Sequence, residues 1–430
     1  MRVKFVWYNA EPIVPGIPQT QSSDSEHDDI AIFNRLNGGK IGLTNSELLK
    51  ALFMLCIRTD KKYSGTCLVD EESLVRKWDE MERKFQDDEF WDMLCPKGRI
   101  YENRLDFLFD FIREGDPRAT STNSYRYYYN AMKSMLMTAN STLLNEKWDE
   151  IKRKFDVLCK WHENTTLHNY VGYLVEFGKT ASGILRKINE STDSAVTTVK
   201  QMVKDEVNVG VELSALRYGN DNAKIRKILA LLNVETSEKH GEKFSFNKYR
   251  AYGYDIEHVN SQTDNAIVKP NERLDWVREQ ALASLNEDFE SIDPSHPDYN
   301  TILSLKNEGE RLLGLGETMR QRDFVLFRKN VNDHYMVGCN QYEKDWIGNL
   351  TLLNSSINRE YQNALFPQKL RTIKRNDQEG AFIPLCTKYL FLKYYSNIKG
   401  RVSAFTMMRW RDEDQNDYYE ALKRILGDFL

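Results

Sequence analysis

The sequence predicts a mainly α-helical protein that carries a small α+β module in its C-terminal half. Apolar residues recur at helical spacing through residues 70–235 and again through 270–330, which predicts two helical regions. The segment that starts at Gly348 predicts the module, because its apolar stretch indicates a strand and the polar residues that follow indicate the start of a helix. With 430 residues, the chain is long enough for two or three domains.

The composition favours a soluble, cytoplasmic protein with no membrane partner. The longest apolar runs, such as 51–55, are far too short to cross a bilayer, and residues 1–8 lack the layout of a signal peptide. The six cysteines form no Cys-x-x-Cys pair, so neither a disulfide framework nor a structural zinc site is indicated. The formal net charge of −4 provides no global basic field, so a nucleic-acid partner would need a local basic groove.

The N-terminal residues 1–60 begin in a strand-like segment, which suggests that they end a domain whose beginning is absent. A glycine-rich turn at 37–43 precedes a capping box at 44–47 and a helix at 48–57. Two polar side chains in that turn, Asn37 and Lys40, could hold a phosphate or nucleotide. A tight turn between two helices is the alternative, because the spacing of a Walker motif is missing.

Residues 61–240 are expected to form a helical middle domain. Two similar segments, 77–85 and 147–155, place aromatic and aliphatic residues at i, i+3 and i+7, which is one face of a helix. Their similarity indicates either duplicated helical hairpins or chance likeness between amphipathic helices.

Residues 241–430 are expected to hold the α+β module, with a helical insert at 270–330. Alternating apolar residues predict short strands at 243–246 and 323–327, and the chain should close with an amphipathic helix at 414–430.

The candidate chemistry lies in residues 254–260 and 346–358, which together supply the residue types of a metal-dependent phosphodiesterase. Cleaving a phosphodiester needs a general base for the nucleophile and a cation that stabilises the developing charge. His258 is suited to be the base because imidazole titrates near neutral pH. Its neighbour Glu257 can reach a metal ion, because adjacent side chains diverge at the end of a strand.

Three asparagines of the second stretch are candidates for supporting roles. Asn349 cannot act as a base, but its amide can hold the backbone of the loop that carries His258. Asn358, in the first turn of the predicted helix, offers a carbonyl oxygen to one Mg²⁺ or Mn²⁺. Asn354, between them, is a candidate helix cap or supporting group. The basic segment that follows supplies candidate nucleic-acid contacts: Lys369, Arg371, Lys374 and Arg375.

These residues resemble the His-Asn-His/Asn (HNH, ββα-metal) nuclease motif. Asp255-Ile256-Glu257-His258 is similar to its acidic metal ligand followed by the base histidine, and Asn349 and Asn358 have the nine-residue spacing of its last two positions. The run 348–353, followed by Asn358, Phe366 and Lys369, resembles the C-terminal nuclease domain of GmrSD-type modification-dependent restriction endonucleases. Residues 33–40 and 43–48 resemble the end of that family's N-terminal nucleotide-binding domain.

The resemblance implies a helical bundle joined to a C-terminal HNH ββα-metal nuclease module. It makes residues 1–60 the tail end of a nucleotide-binding domain and residues 241–430 the nuclease domain. The family also implies a role in prokaryotic defence against foreign or modified DNA.

The sequence departs from the family pattern in three respects. It contains no Asp-Gly-Gln-Gln-Arg string, the motif linked to nucleotide hydrolysis, so a nucleoside triphosphate would be used only with a missing domain or a separate partner subunit. The acid before the histidine is Glu257 rather than the commoner Asp. The separation between His258 and Asn349 is longer than in compact members of the superfamily, and the helical insert fills it.

We therefore expect a metal-dependent DNA endonuclease. Two alternatives stay open: a non-catalytic DNA-binding or regulatory subunit of a split restriction system, and an RNA-cleaving toxin that uses the same site chemistry.

Overall fold

The computed structural model describes residues 43–63, 65–138, 141–188, 192–207, 212–260, 266–337, 339, 343–361, 364–396 and 404–430. This part of the chain is mainly helical and contains a small two-stranded sheet, which confirms the predicted class at that level. The predicted phosphate-loop residues Asn37 and Lys40 lie outside the described residues.

The first part of the fold is a set of packed helices that share one hydrophobic cluster. The helices are α1 (Asn45–Tyr63), α2 (Glu71–Phe85), α3 (Asp88–Leu94), α4 (Asp106–Gly115), α5 (Ser124–Thr138), α6 (Ser141–Glu163), α7 (Thr165–Glu176), α8 (Ala181–Leu185) and α9 (Thr192–Val207). The repeated apolar spacing of 77–85 and 147–155 is accounted for by packing, because the Trp78 and Trp148 rings stack at 6.2 Å in this cluster. The predicted domain boundary at residue 60 lies inside α1.

Helix α10 (Asn222–Lys239) is the central support of the fold. Its residues are buried without a break from Ile228 to Ser237, as expected of a helix that is enclosed on all sides. It packs against α7, against both strands of the sheet and against two C-terminal helices. The sheet therefore rests on a buried helix of the middle region.

The sheet consists of β1 (Tyr254–His258) and β2 (Leu350–Asn354), which are antiparallel. The register pairs Tyr254 with Asn354 and His258 with Leu350. Helix α11 (Phe246–Tyr252) precedes β1, so the strand predicted at 243–246 is wrong: Ser245 caps this helix by accepting a hydrogen bond from the Lys248 amide (3.4 Å).

Helix α12 (Ser355–Tyr361) follows β2 directly and packs against both strands. The two strands and this helix thus form a strand–strand–helix unit. The expected passage from a strand into a helix after Gly348 is confirmed.

The insert between the two strands is helical, as predicted. It contains α13 (Pro270–Asp275), a π-helical segment (Trp276–Leu282), α14 (Ala283–Glu290), α15 (Tyr299–Gly314) and α16 (Gln321–Tyr335). Its side chains form a second hydrophobic cluster, separate from the main one, to which Phe405 also belongs. The strand predicted at 323–327 is wrong, because Phe324, Phe327 and Val331 recur at helical spacing and face this second cluster.

The C-terminal part consists of α17 (Phe366–Gln378), α18 (Leu385–Phe391), α19 (Ala404–Met407) and α20 (Asp412–Leu426). The last helix therefore begins and ends slightly earlier than predicted. Among the described residues, none of the helices combines the length and the apolar character needed to span a membrane.

Candidate active site

His258 ends β1, and its imidazole is held from two sides. Its Nε2 lies 2.9 Å from Oδ1 of Asp345, and the Tyr218 ring meets the imidazole edge-on with ring centres 4.8 Å apart. Its Nδ1 forms no hydrogen bond with any residue that the structure describes. Since the Asp345 carboxylate accepts a hydrogen bond from Nε2–H when the imidazole is neutral, the free lone pair is on Nδ1.

The environment of His258 favours its neutral form. The side chain is only 15% exposed, and this burial lowers its pKa below the ordinary value. The hydrogen bond and negative charge of Asp345 act in the opposite direction and raise the pKa, but burial has the larger effect. A neutral imidazole with one free nitrogen is the form that can accept a proton from water.

Asn349 lies fully buried in the short 3₁₀ turn before β2, and its amide binds the main chain after His258. Its Oδ1 accepts a hydrogen bond from the Asn260 amide (3.1 Å), and its Nδ2 donates to the Asn260 carbonyl (2.9 Å). The Val259 amide also donates to the Asn349 main-chain carbonyl (2.8 Å). These are the contacts expected of an asparagine that holds residues 258–260, which we call the His258 loop.

Glu257 points into the protein instead of towards an open cation site. Its Oε1 lies 2.5 Å from Nζ of Lys369, and the same ammonium donates to the His258 carbonyl (2.6 Å). Lys369 is 0% exposed and Glu257 is 7% exposed. Burial raises the pKa of Glu257 and lowers that of Lys369. The positive charge of Lys369 lowers the pKa of Glu257, and the negative charge of Glu257 raises the pKa of Lys369, so each charge opposes the effect of burial on its partner.

Lys369, a predicted nucleic-acid contact, does not present its ammonium at the surface in this structure, because the ammonium is buried and bound within the protein. Arg371 is half-buried and holds α17 against the insert: it donates to the Glu287 carboxylate (3.1 Å) and the Ser284 hydroxyl (3.0 Å). Lys374 and Arg375 are exposed on α17, so they remain candidate contacts for an anionic partner.

The two remaining asparagines lie at the start of α12. Asn354 caps this helix, because its Oδ1 accepts hydrogen bonds from the amide and the hydroxyl of Ser356, both at 2.8 Å. Asn358 is half-buried in the first turn. Within the described residues it forms no hydrogen bond with His258, Glu257 or Asn349.

Two residues of the site, Asp345 and Tyr218, were not expected from the sequence. The loop 213–218 of the middle region packs on the segment 343–349 that carries Asp345: the Tyr218 amide donates to the Asp345 carbonyl (2.8 Å), and the Trp346 indole donates to the Ser214 carbonyl (3.2 Å). The only local signal was that Asp345 lies in the turn that leads to Asn349.

The predicted metal ligands do not form a ready metal site in this arrangement. The Glu257 carboxylate is bound to Lys369, and among the described residues Asn358 forms no hydrogen bond with Glu257. Across the residues that the structure describes, no cluster of three or more His, Cys, Asp or Glu side chains is arranged to hold a metal ion. The exposed carboxylate nearest the base belongs to Asp345, which is already hydrogen-bonded to His258.

Comparisons with known proteins do not assign the chain to a family: no family model, no curated protein and no solved structure matches it. The resemblance to HNH nucleases therefore rests on the motif residues and remains a prediction.

Proposed function

We propose that this chain is an endonuclease that hydrolyses phosphodiester bonds in DNA, with His258 as the general base of an HNH-type site. One observation supports the proposal above the others. His258 ends the first of two antiparallel strands, and Asn349, which directly precedes the second strand, binds the main chain of the His258 loop. Asn358 follows on the next helix, at the spacing of the motif.

The proposed chemistry assigns one role to each side chain around the base. Nδ1 of His258 accepts a proton from the attacking water, and the Asp345 carboxylate orients the ring through Nε2 and stabilises the imidazolium that forms. Asn349 keeps the His258 loop in place, so that the imidazole is held before the substrate binds.

A divalent cation, Mg²⁺ or Mn²⁺, belongs to the proposal as the expected cofactor. Such an ion would stabilise the negative charge that develops on the phosphate and on the leaving oxygen. Because Glu257 is bound to Lys369, its carboxylate is not open to such an ion in this arrangement.

The motif resemblance extends the proposal to a biological role. The chain would act in prokaryotic defence against foreign or modified DNA, and a separate subunit would supply nucleotide hydrolysis. The exposed Lys374 and Arg375 are the candidate DNA contacts in this scheme.

The test is a plasmid-nicking assay with the natural chain and with His258→Ala. Each protein is incubated with Mg²⁺, with Mn²⁺ or with a chelator, in the presence and absence of nucleoside triphosphate. The expected result is metal-dependent nicking by the natural chain and loss of on the order of 10²–10⁴-fold in rate for His258→Ala, the range of one general base. His240→Ala is the matched control, because His240 is exposed and hydrogen-bonds to the Thr236 carbonyl, away from the site.

Other outcomes favour the alternatives. Binding of DNA without cleavage by the natural chain under all conditions would favour a regulatory subunit. Cleavage of RNA but not of DNA in a parallel assay would favour a ribonuclease. Equal nicking by the natural chain and His258→Ala would contradict the proposed mechanism.

A further inference from the structure

The buried ion pair below His258 connects the proposed base to helix α17. The Lys369 ammonium donates to the Glu257 carboxylate at 2.5 Å and to the His258 main-chain carbonyl at 2.6 Å. The lysine comes from α17, whose residues Phe366, Leu370 and Ile373 are packed into the main hydrophobic cluster. The position of the ammonium is therefore fixed by a packed helix.

Stability alone does not explain this pair. Removing two charges from water is costly, and well-packed apolar residues at such positions are often as stable as the pair they replace. The feature that apolar residues could not reproduce is the hydrogen bond from Lys369 to the carbonyl of His258.

We propose that Lys369 is a positioning residue for His258, and that Glu257 holds Lys369 in place instead of binding a metal ion. This inference rests on the proposed function of His258 as a base. The main chain is then bound on both sides of the imidazole: Lys369 binds the carbonyl of His258, and Asn349 binds Asn260. Small displacements of a catalytic group are costly, and about 1 Å of misplacement can lower a rate on the order of 100-fold.

The geometry also argues against Glu257 as a metal ligand. An ammonium at 2.5 Å already neutralises the carboxylate, and a divalent cation on the same group would be repelled by it. Exchange of the ammonium for a metal would leave Lys369 buried without its carboxylate partner and would release the His258 carbonyl.

Two variants of the full chain separate positioning from ligation. Glu257→Gln keeps an oxygen that accepts from Lys369, so the hydrogen bond to His258 is retained. Glu257→Met/Lys369→Met replaces the pair with apolar side chains of similar length and removes that hydrogen bond. Glu176→Gln is the matched control, since Glu176 is also a carboxylate with little exposure (11%) and a cationic partner, Arg250 at 2.7 Å, but lies in the middle region.

Three quantities are measured for each protein: kcat and KM for plasmid nicking, the urea midpoint of unfolding, and Mn²⁺ binding followed by electron paramagnetic resonance. We expect Glu176→Gln to keep kcat and Mn²⁺ affinity within a few-fold of the natural chain, and Glu257→Gln to keep its Mn²⁺ affinity within the same range. We expect the double Met variant to unfold at a similar urea concentration but to lose kcat by about 100-fold with little change in KM.

Four results would overturn the inference. The first is loss of Mn²⁺ binding in a folded Glu257→Gln variant, which would make Glu257 a ligand. The second is full kcat in the double Met variant, which would make Lys369 purely structural. If the double variant does not fold, Lys369→Arg decides instead. Arg keeps the positive charge and the hydrogen-bond donors, so a folded Arg variant should keep His258 in position. A folded Arg variant whose kcat is as low as that of His258→Ala would contradict positioning by this hydrogen bond. Absence of nicking by the natural chain would overturn the proposed function and, with it, this inference.

Discussion

At the residue scale, the environment of His258 determines how the site should respond to pH. Burial lowers the pKa of His258, and Asp345 partly counteracts this effect. A general base is active in its neutral form, so kcat/KM should fall as the pH falls through this pKa. We expect that low-pH limb to lie below pH 6.5, the ordinary pKa of histidine.

Asp345→Asn should move the low-pH limb of kcat/KM further down. The substitution removes the negative charge that raises the pKa of His258, so the imidazole loses its proton at a lower pH. The plateau rate should also fall, because an amide can present its NH₂ to Nε2 and favour the wrong tautomer. The measurement is a pH–rate profile of plasmid nicking.

Asp333→Asn is the matched control for that profile, since Asp333 pairs with Lys329 on the exposed side of α16 (2.9 Å). Its profile should coincide with that of the natural chain. A limb that moves to higher pH in Asp345→Asn would contradict the assigned role of Asp345.

Sequence reasoning reached some residues of the site and missed others for identifiable reasons. The adjacency of Glu257 and His258 and the spacing of Asn349 and Asn358 are local, so the motif could be read directly. The contact between Asp345 and Tyr218 depends on how the middle region packs on the turn before β2, which no local pattern encodes. The basic segment that contains Arg371, Lys374 and Arg375 predicts a surface role for Lys369, whereas its own side chain points into the core.

At the element scale, the turn that leads into β2 depends on Gly348. A Cβ at this position would lie 2.5 Å from the Trp346 ring and 3.0 Å from the Gln415 carbonyl of α20. These distances leave no room for a methyl group, so either the turn or α20 would have to shift.

Gly348→Ala should therefore destabilise the protein by roughly 1–3 kcal/mol and slow nicking, because Asn349 follows directly in the chain. Urea unfolding and the plasmid assay measure the two effects. Gly314→Ala is the control: a Cβ there meets nothing within 4 Å at the end of α15, so stability should be unchanged or slightly increased. A Gly348→Ala variant as stable and active as the natural chain would show that the turn is more tolerant than its packing indicates.

The elements themselves were predictable to different degrees. Long amphipathic helices and the strand–helix passage after Gly348 carry strong periodic signals, and they were found. The short segments 243–246 and 323–327 show apolar alternation over only a few residues, which is a weak signal for a strand. In the first segment Ser245 caps a helix, and in the second the longer helical spacing of α16 determines the structure. The register of β1 on β2 could not be predicted, because the insert separates the two strands.

At the scale of the whole molecule, a buried cluster of charges links the insert to the C-terminal segment. Arg409 donates to both oxygens of Asp288, at 3.2 and 3.0 Å, and its Nη2 lies 2.7 Å from Nε2 of His334. Asp288 is 0% exposed and Arg409 is 1% exposed. The insert has its own hydrophobic cluster, and this contact is a polar tie that holds it to the segment after α19.

Arg409→Met should destabilise the protein by roughly 3–5 kcal/mol, because it leaves the Asp288 carboxylate buried without its cation. Asp288→Leu in the same chain should recover much of that loss, since no unpaired charge then remains. Urea unfolding at neutral pH measures both. Arg322→Met, which removes an exposed partner of Asp323, is the control and should change stability by less than about 1 kcal/mol. An Arg409→Met variant with the natural midpoint would show that the cluster contributes little to the attachment of the insert.

The whole molecule also shows why its helical class could be predicted while its assembly could not. Composition and periodicity indicate helices, but the enclosure of α10 by the middle region, the sheet and the C-terminal helices depends on contacts between distant segments. The loop 213–218 lies shortly before α10, and α10 packs against both strands. This places the loop beside the candidate site.

The most direct test of the central proposal is imidazole rescue of His258→Gly in the plasmid-nicking assay. If His258 is the base, this variant should lose on the order of 10²–10⁴-fold in rate, and added imidazole should restore part of it in proportion to the concentration of the neutral form. The space left by the removed side chain, beside Asp345 and 15% exposed in the natural chain, should admit the free base. A His258→Gly variant that nicks DNA as fast as the natural chain, without imidazole, would contradict the account.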